Sequence, residues 1–107
     1  MNVETNHNIK CTIALTGLQE VYDPEIGLNV VDMGLIYQLN FDEEEQRIDA
    51  LMTLSTQFCP MGESIVNGVS NRLKTSFPEY DVVVNLTFDP PWNYEMISEE
   101  GCNFLNR

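Results

Sequence analysis

The chain has few basic residues. Only 5 Lys and Arg stand against 17 Asp and Glu, so the formal net charge is −12. Such a field repels nucleic acid and anionic membranes, because phosphate binding requires clustered Lys and Arg. We therefore expect neither nucleic acid nor a membrane as a partner. A basic protein or a cation stays compatible with the charge, and much of it can simply be a solvated surface.

Histidine and closely spaced cysteine are also scarce. His7 is the only histidine, and the three cysteines, Cys11, Cys59 and Cys102, contain no CxxC pair. This spacing excludes the common zinc motifs, and the sequence has neither GxGxxG nor GxxxxGK[ST] to form a phosphate loop. Distant cysteines in odd number and the lack of a signal-peptide pattern favour a reducing compartment. We expect a cytoplasmic protein.

What is present fits one folded domain. The chain has 107 residues, of which 43% are hydrophobic, enough to bury a single core. We expect one domain over residues 1–107, with residues 1–7 loose.

Apolar periodicity predicts two main helices. The first runs from Asn8 and is stopped by Pro24, because the residue before a proline avoids the helical region. The second begins at Pro60 and runs to about Ser76. The predicted stripe of the first helix is Cys11, Ala14, Leu15, Leu18, Val21 and Tyr22, and that of the second is Met61, Ile65, Val69 and Leu73.

Alternating patterns in residues 35–41, 47–55 and 82–88 predict three strands. The first two form an antiparallel hairpin, and the third follows a helix and is expected to pair in parallel through a right-handed crossover. The predicted fold class is α+β: a small mixed three-stranded sheet with two helices packed on one face, in the order α-β-β-α-β plus a short C-terminal helix. Ser98 is its predicted N-cap, with Cys102, Phe104 and Leu105 as its anchors.

Cys59 is the main candidate for a reactive or metal-binding residue, because it lies between a predicted strand and the predicted helix that starts at Pro60. A thiol beside a helix N-terminus tends to have a lowered pKa, which favours the thiolate that attacks electrophiles and binds metals. The alternative is a small buried apolar cysteine. Asp23, Glu25 and Asp32 are the carboxylates of interest, although an Asp before Pro is commonly a turn former.

One thiolate offers too few ligands for a complete metal site. Cys59 could share a cluster or metal ion with a second chain or a client protein, hold a persulfide, or form a mixed disulfide. A cysteine enzyme would need a base beside the thiol, and His7 lies in the N-terminal segment. We therefore expect a protein that is not an enzyme. The Trp92 ring could stack on a nucleobase of a nucleic acid, but it is more simply a lid over the core.

Several motifs together resemble a known family. They are Val-Tyr-Asp-Pro-Glu-Ile at 21–26, Val-Asp-Met-Gly-Leu-Ile-Tyr at 31–37, Met-Thr-Leu-Ser at 52–55, Cys-Pro at 59–60, and Pro-Pro-Trp at 90–92 with Ile-Ser-Glu-Glu at 97–100. In this order and spacing they resemble the metal–sulfur cluster assembly factor family, which includes bacterial SufT and PaaD and the eukaryotic cytosolic iron–sulfur targeting factors. The resemblance covers residues 8–105.

The resemblance implies a carrier or targeting accessory in iron–sulfur protein maturation, with assembly proteins and client apoproteins as partners. The family's functional cysteine falls on Cys59, the residue expected to bind a transient iron–sulfur cluster or iron; no other cofactor is expected. Its acidic positions fall on Asp23 and Asp32. We expect the rim of the site to comprise Asp23, Glu25, Asp32, Thr53 and Trp92.

Some residues depart from the family pattern. Gln57-Phe58 stands where relatives often have small or turn residues before Cys-Pro, and Phe58 could shield the thiol or offer a docking surface. Gly101-Cys102 stands where Ala-Arg is common, so Cys102 is either a second ligand or, more simply, a buried anchor. We expect no cysteine-rich tail of the kind that PaaD-type members have. The alternative function is a metal-free acidic adaptor that holds clients to the assembly machinery, and a homodimer is a further expectation because a small sheet can expose an edge.

Overall fold

A computed structural model describes residues 3–24, 26–55 and 62–105. The helices and strands follow in chain order as β1 (Glu4–Thr5), α1 (Asn8–Leu18), β2 (Tyr22–Asp23), β3 (Leu28–Asn29), β4 (Ile36–Asp42), β5 (Arg47–Met52), α2 (Gly62–Ser76), β6 (Asp81–Leu86), a 3₁₀ turn (Tyr94–Met96) and α3 (Glu99–Leu105). The predicted α+β class is confirmed.

The main sheet has the strand order β1-β4-β5-β6. The predicted hairpin is the antiparallel β4–β5 pair, in which Leu39 faces Ala50 and Phe41 faces Ile48. The predicted parallel pairing is that of β5 with β6, reached through α2. The sequence did not indicate the short β1, which adds a fourth strand parallel to β4, or the two-stranded sheet of β2 and β3.

Residues 4–7 are structured, which differs from the loose segment we expected. Asn6 extends the edge made by β1: its side-chain amide donates to the Phe41 carbonyl and accepts from the Phe41 N–H, both at 2.8 Å. His7 is the N-cap of α1, and its Nδ1 accepts from the backbone N–H of Lys10 at 3.2 Å. These long-range bonds order a segment that has little apolar pattern of its own.

Helix α1 ends at Leu18, so the prediction that it continues to Pro24 is wrong. The backbone N–H of Gln19 caps the last turn by donating to the Leu15 carbonyl. The Val21 carbonyl then accepts from the Val30 N–H, and Tyr22 pairs with Asn29. Val21 and Tyr22, which we assigned to the helix, therefore pair with a later segment of the chain instead.

Both main helices and one face of the sheet share a single buried core. Gly17 allows α1 and α2 to pack closely, because a Cβ at this position would lie 2.9 Å from the Ser76 hydroxyl oxygen. The core residues of the helices and of the central hairpin are Cys11, Ala14, Leu18, Leu39, Phe41, Ile48, Ala50, Met52, Ile65, Val69 and Leu73. None of the helices in the described ranges is long and apolar enough to cross a membrane.

Helix α3 is capped as predicted but anchored differently. The Ser98 hydroxyl accepts from the Gly101 N–H at 3.0 Å, as an N-cap does. The predicted anchors Cys102, Phe104 and Leu105 are exposed, so that prediction is wrong. The buried residue is Gly101, where a Cβ would come within 2.9 Å of a Leu28 methyl carbon. The helix approaches the core through a residue without a side chain, which carries no hydrophobic signal in the sequence.

Candidate functional site

Residues 28–35, here called the Asp32 loop, comprise β3 and the turns that connect it to β4. Asn29 and Asp32 close this loop on itself. The Asn29 amide donates to Asp32 Oδ2 at 2.7 Å, and the Asp32 backbone N–H donates to Asn29 Oδ1 at 2.9 Å. An Asn or Asp side chain that bonds to backbone nearby stabilises a turn without a regular element.

Asp32 also joins this loop to α3. The Ser98 hydroxyl donates to Asp32 Oδ1 at 2.9 Å, and the Ser98 backbone N–H donates to the Asp32 carbonyl at 2.8 Å. Both carboxylate oxygens of Asp32 therefore accept a bond within the protein. Hydrogen bonds to an ionised acceptor are stronger than neutral ones, so Asp32 fixes the relative position of two separate segments.

Gly34 lies at a close contact in the same loop. Its φ of +76° is in the left-handed region, which glycine adopts at little cost. A Cβ there would overlap the carbonyl oxygen of Met96 and lie 2.9 Å from its carbonyl carbon. The backbone of residue 34 and the 3₁₀ turn can touch only because no side chain stands between them.

Trp92 packs over the Asp32 loop. Its indole N–H donates to the Met33 carbonyl at 2.6 Å, and the half-buried ring contacts the core. Tyr94 meets it edge to face, with ring centroids 5.1 Å apart, and is itself 72% exposed. Trp92 thus covers the core, as the lid interpretation predicted, while Tyr94 presents an aromatic surface to solvent.

Thr53 ties the end of β5 to this region. It is fully buried, and its backbone N–H donates to the Leu35 carbonyl at 2.8 Å. Tyr37 lies nearby and donates from its hydroxyl to the Pro90 carbonyl at 2.8 Å. Burial raises the pKa of Tyr37, and a hydrogen bond with Thr53 partly opposes that shift. Gly34, Tyr37, Met96 and Ser98 also line a cleft of about 410 Å³.

The structure brings together most of the predicted rim residues that it describes. Asp32, Thr53 and Trp92 all contact the Asp32 loop or belong to it. Asp23 is buried in β2 beside Leu28, at the start of the same loop. Asp23 and Thr53 therefore lie beneath the surface rather than facing solvent.

Glu25, Phe58, Cys59 and the predicted helix start at Pro60 lie outside the described residues. The lowered pKa and accessibility of the Cys59 thiol stay predictions. The other cysteines differ from one another: Cys11 is buried, which raises its pKa, and Cys102 is exposed, so its prediction as a buried anchor is wrong. Within residues 3–24, 26–55 and 62–105, no three His, Cys, Asp or Glu side chains are grouped so as to hold a metal ion.

Sequence reasoning missed two residues that hold the site together. In the sequence, Gly34 and Tyr37 stand out only as members of the motif at 31–37. A glycine between the acidic position and the strand is the one available signal for the close approach to Met96. The bond between Ser98 and Asp32 joins residues 66 positions apart, so no local pattern could reveal it.

Comparison with known proteins assigns a family to this arrangement. A family model described as iron–sulfur cluster assembly protein matches residues 14–86. An Fe–S protein maturation auxiliary factor of Porphyromonas gingivalis is 39% identical over 84 residues, which are 78% of this chain and 79% of that protein. The auxiliary factor SufT of Staphylococcus aureus is 41% identical over 80 residues, 73% of this chain and 88% of its own length.

A solved structure shares the architecture. The crystal structure of a domain of unknown function from Bacillus anthracis superposes with a TM-score of 0.84 at 32% identity, covering 92% of each chain. The α+β arrangement and the ordered motifs thus agree with the match to the family model. The chain belongs to the iron–sulfur cluster assembly protein family.

Proposed function

We propose that this protein is an iron–sulfur protein maturation factor in which the Cys59 thiolate transiently holds iron or an iron–sulfur cluster as cargo. The observation that carries the proposal is the family match over residues 14–86, a range that includes Cys59, together with relatives named as maturation auxiliary factors. Those relatives are named auxiliary factors rather than enzymes, which supports a role without catalysis. The expected partners are assembly proteins and client apoproteins in the cytoplasm.

The described residues that precede Cys59 in the sequence belong to a hydrogen-bonded frame, which supports the proposal. The strand β5 leads through Thr53 and Ser55 toward Cys59, four positions beyond Ser55 in the sequence. Thr53 is bonded to Leu35, and the loop that ends at Leu35 is locked by Asn29, Asp32 and Ser98. In this proposal Asp32 positions the rim, because its two oxygens accept the hydrogen bonds that close the loop and join it to Ser98.

A single thiolate favours transfer over storage. Iron in clusters prefers thiolate ligands, and a cluster normally needs four. Cys59 would supply one ligand while the donor or the client supplies the others, so the cargo would leave as the client's own ligands replace Cys59. The excess of acidic side chains adds no soft ligand but favours approach of cations and basic partner surfaces.

The test is maturation of an iron–sulfur enzyme in cells that depend on this protein. Cys59→Ala should lower the client's activity to the level of cells without the protein, at equal protein abundance. Cys102→Ala is the matched control, because Cys102 is a free and exposed cysteine, and it should leave client activity unchanged. Full client activity with Cys59→Ala would overturn the role of the thiol.

The second candidate function is an adaptor that binds no metal. The observation that favours it is the exposed Tyr94, which meets Trp92 edge to face and is followed by the exposed Glu95, since aromatic residues are enriched at protein interfaces. It predicts that Tyr94→Ala abolishes pull-down of a client or assembly protein while Cys59→Ala leaves both pull-down and maturation intact. The reverse pattern would exclude the adaptor.

A further inference from the structure

The two edges of the main sheet differ in how far their backbone groups are hydrogen-bonded. At the β4 edge, β1 pairs in parallel and the Asn6 amide occupies both backbone groups of Phe41. At the opposite edge stands β6, a six-residue strand whose sequence is Asp-Val-Val-Val-Asn-Leu. It contains no Pro or Lys, the residues that commonly protect an edge. Among the described residues, only β5 pairs with it.

Two hydrogen bonds fix which backbone groups of β6 point outward. The Asp81 N–H donates to the Gln46 carbonyl, and the Thr87 N–H donates to the Met52 carbonyl. The odd-numbered residues of this segment therefore direct their backbone N–H and C=O groups toward β5. Because successive residues of a strand point their backbone groups in opposite directions, Val82, Val84 and Leu86 direct N–H and C=O away from the sheet. Three donors and three acceptors are thus arrayed along this edge.

We propose that two copies of the chain associate by antiparallel pairing of their β6 strands about a two-fold axis at Val84, which joins their sheets into one. In this register Val84 pairs with its own copy and Val82 pairs with Leu86. Every outward N–H then meets an outward C=O, which gives the largest number of bonds of any symmetric register. A symmetric pair uses the same surface on both copies, as closed dimers do.

The side chains of β6 suit this register. Val82, Val84 and Leu86 are on one face, where aliphatic groups would meet aliphatic groups. On the other face Val83 would meet Asn85, and Asp81 would meet Thr87, so no carboxylate opposes another within the strand. Val83 and Leu86 are 40% and 45% exposed in one chain, and pairing would cover apolar surface that is otherwise wet.

The net charge gives this association a distinctive salt dependence. Two chains of −12 repel one another at long range, and salt screens that repulsion. Association of two copies should therefore strengthen as the salt concentration rises. A basic peptide added along the same edge would instead bind more weakly at higher salt, so the sign of the salt effect separates a second copy from a basic partner.

Sedimentation of the full chain between about 10 μM and about 500 μM tests the proposal, since small interfaces associate weakly. We expect a concentration-dependent dimer that increases between low and high NaCl. Leu86→Lys should abolish it. Ile13→Lys is the matched control: Ile13 is 50% exposed on α1, away from the sheet edge, and both changes raise the net charge equally. A chain that stays monomeric throughout, or equal effects of the two variants, would overturn the proposal.

Cysteine pairs test the register. An equimolar mixture of Val83→Cys and Asn85→Cys chains should form a mixed disulfide on air oxidation, because these positions face each other at about 4.5 Å between Cα atoms. Either variant alone should not, since its two copies would lie about 8 Å apart. Mass spectrometry of the linked peptides distinguishes this engineered disulfide from disulfides formed by the native cysteines. A bond from residue 83 to its own copy, or from residue 85 to its own copy, would contradict this register.

The dimer is independent of the proposed thiol chemistry. Cys59→Ala should leave sedimentation unchanged, and Leu86→Lys should leave iron and sulfide binding at Cys59 unchanged. Failure of one proposal is therefore distinguishable from failure of the other.

Discussion

Replacing Gly34 with alanine should loosen the contact between the Asp32 loop and the 3₁₀ turn. Two costs add in this variant. The φ of +76° places a non-glycine residue in the left-handed region, at about 1 kcal/mol. The new Cβ also overlaps the Met96 carbonyl, and relieving such an overlap by backbone shifts costs about 1–3 kcal/mol. We expect the free energy of unfolding to fall by about 2–4 kcal/mol in total.

Gly27→Ala separates these two costs. Gly27 has a φ of +81°, but a Cβ there would meet no atom of the described residues within 4 Å. It should lose only the conformational part, about 1 kcal/mol. Urea unfolding of both variants measures the difference, which should appear as a shift of about 1 M between their midpoints.

Fluorescence gives the local readout. Trp92 is the only tryptophan and its indole N–H is bonded to Met33, one residue from Gly34. A shift of the 3₁₀ turn should move Trp92 toward water, so the emission of folded Gly34→Ala should move to longer wavelength while that of Gly27→Ala should not. Equal stability and equal emission in the two variants would refute the claim that contact with Met96 requires glycine at position 34.

Two further predictions concern α3 and a surface ion pair. Ser98→Ala removes the cap of Gly101 and the bond to Asp32 and should lower the free energy of unfolding by about 1–2 kcal/mol in urea, whereas Ser64→Ala, exposed on α2, should change it little. The bond from Lys10 lowers the pKa of Glu43, so that pair stabilises at neutral pH and the contribution is lost as pH falls through the folded pKa of Glu43. The difference in melting temperature between wild type and Glu43→Gln should therefore shrink below about pH 4.5, and a constant difference would contradict it.

The sequence predicted those elements whose signal is local. Ile65, Val69 and Leu73 repeat every fourth residue, and all three are buried on α2 as expected. Ile48 and Ala50 alternate with polar residues, and both face the core from β5. These patterns record which face an element buries, so they hold wherever an element has one buried face.

Features that depend on distant pairing could not be predicted in this way. The end of α1 is decided by the bond between Val21 and Val30, and β1 is decided by pairing with β4. Helix α3 is anchored through Gly101, which has no side chain to provide a hydrophobic pattern. In the site, the motifs singled out Asp23 and Asp32 as residues of interest. They could not predict the pairing of Asp23 with Leu28 or the hydrogen bond from Ser98 to Asp32, because both are contacts between separate segments.

The most direct test of the central claim is the mass of the intact protein after anaerobic incubation with Fe²⁺ and sulfide. If Cys59 holds the cargo, the intact masses of wild type and Cys102→Ala, measured under native conditions, should increase by the mass of bound iron and sulfide. The mass of Cys59→Ala should not increase. Equal loading of Cys59→Ala, or loading that disappears with Cys102→Ala alone, would contradict a carrier that works through Cys59.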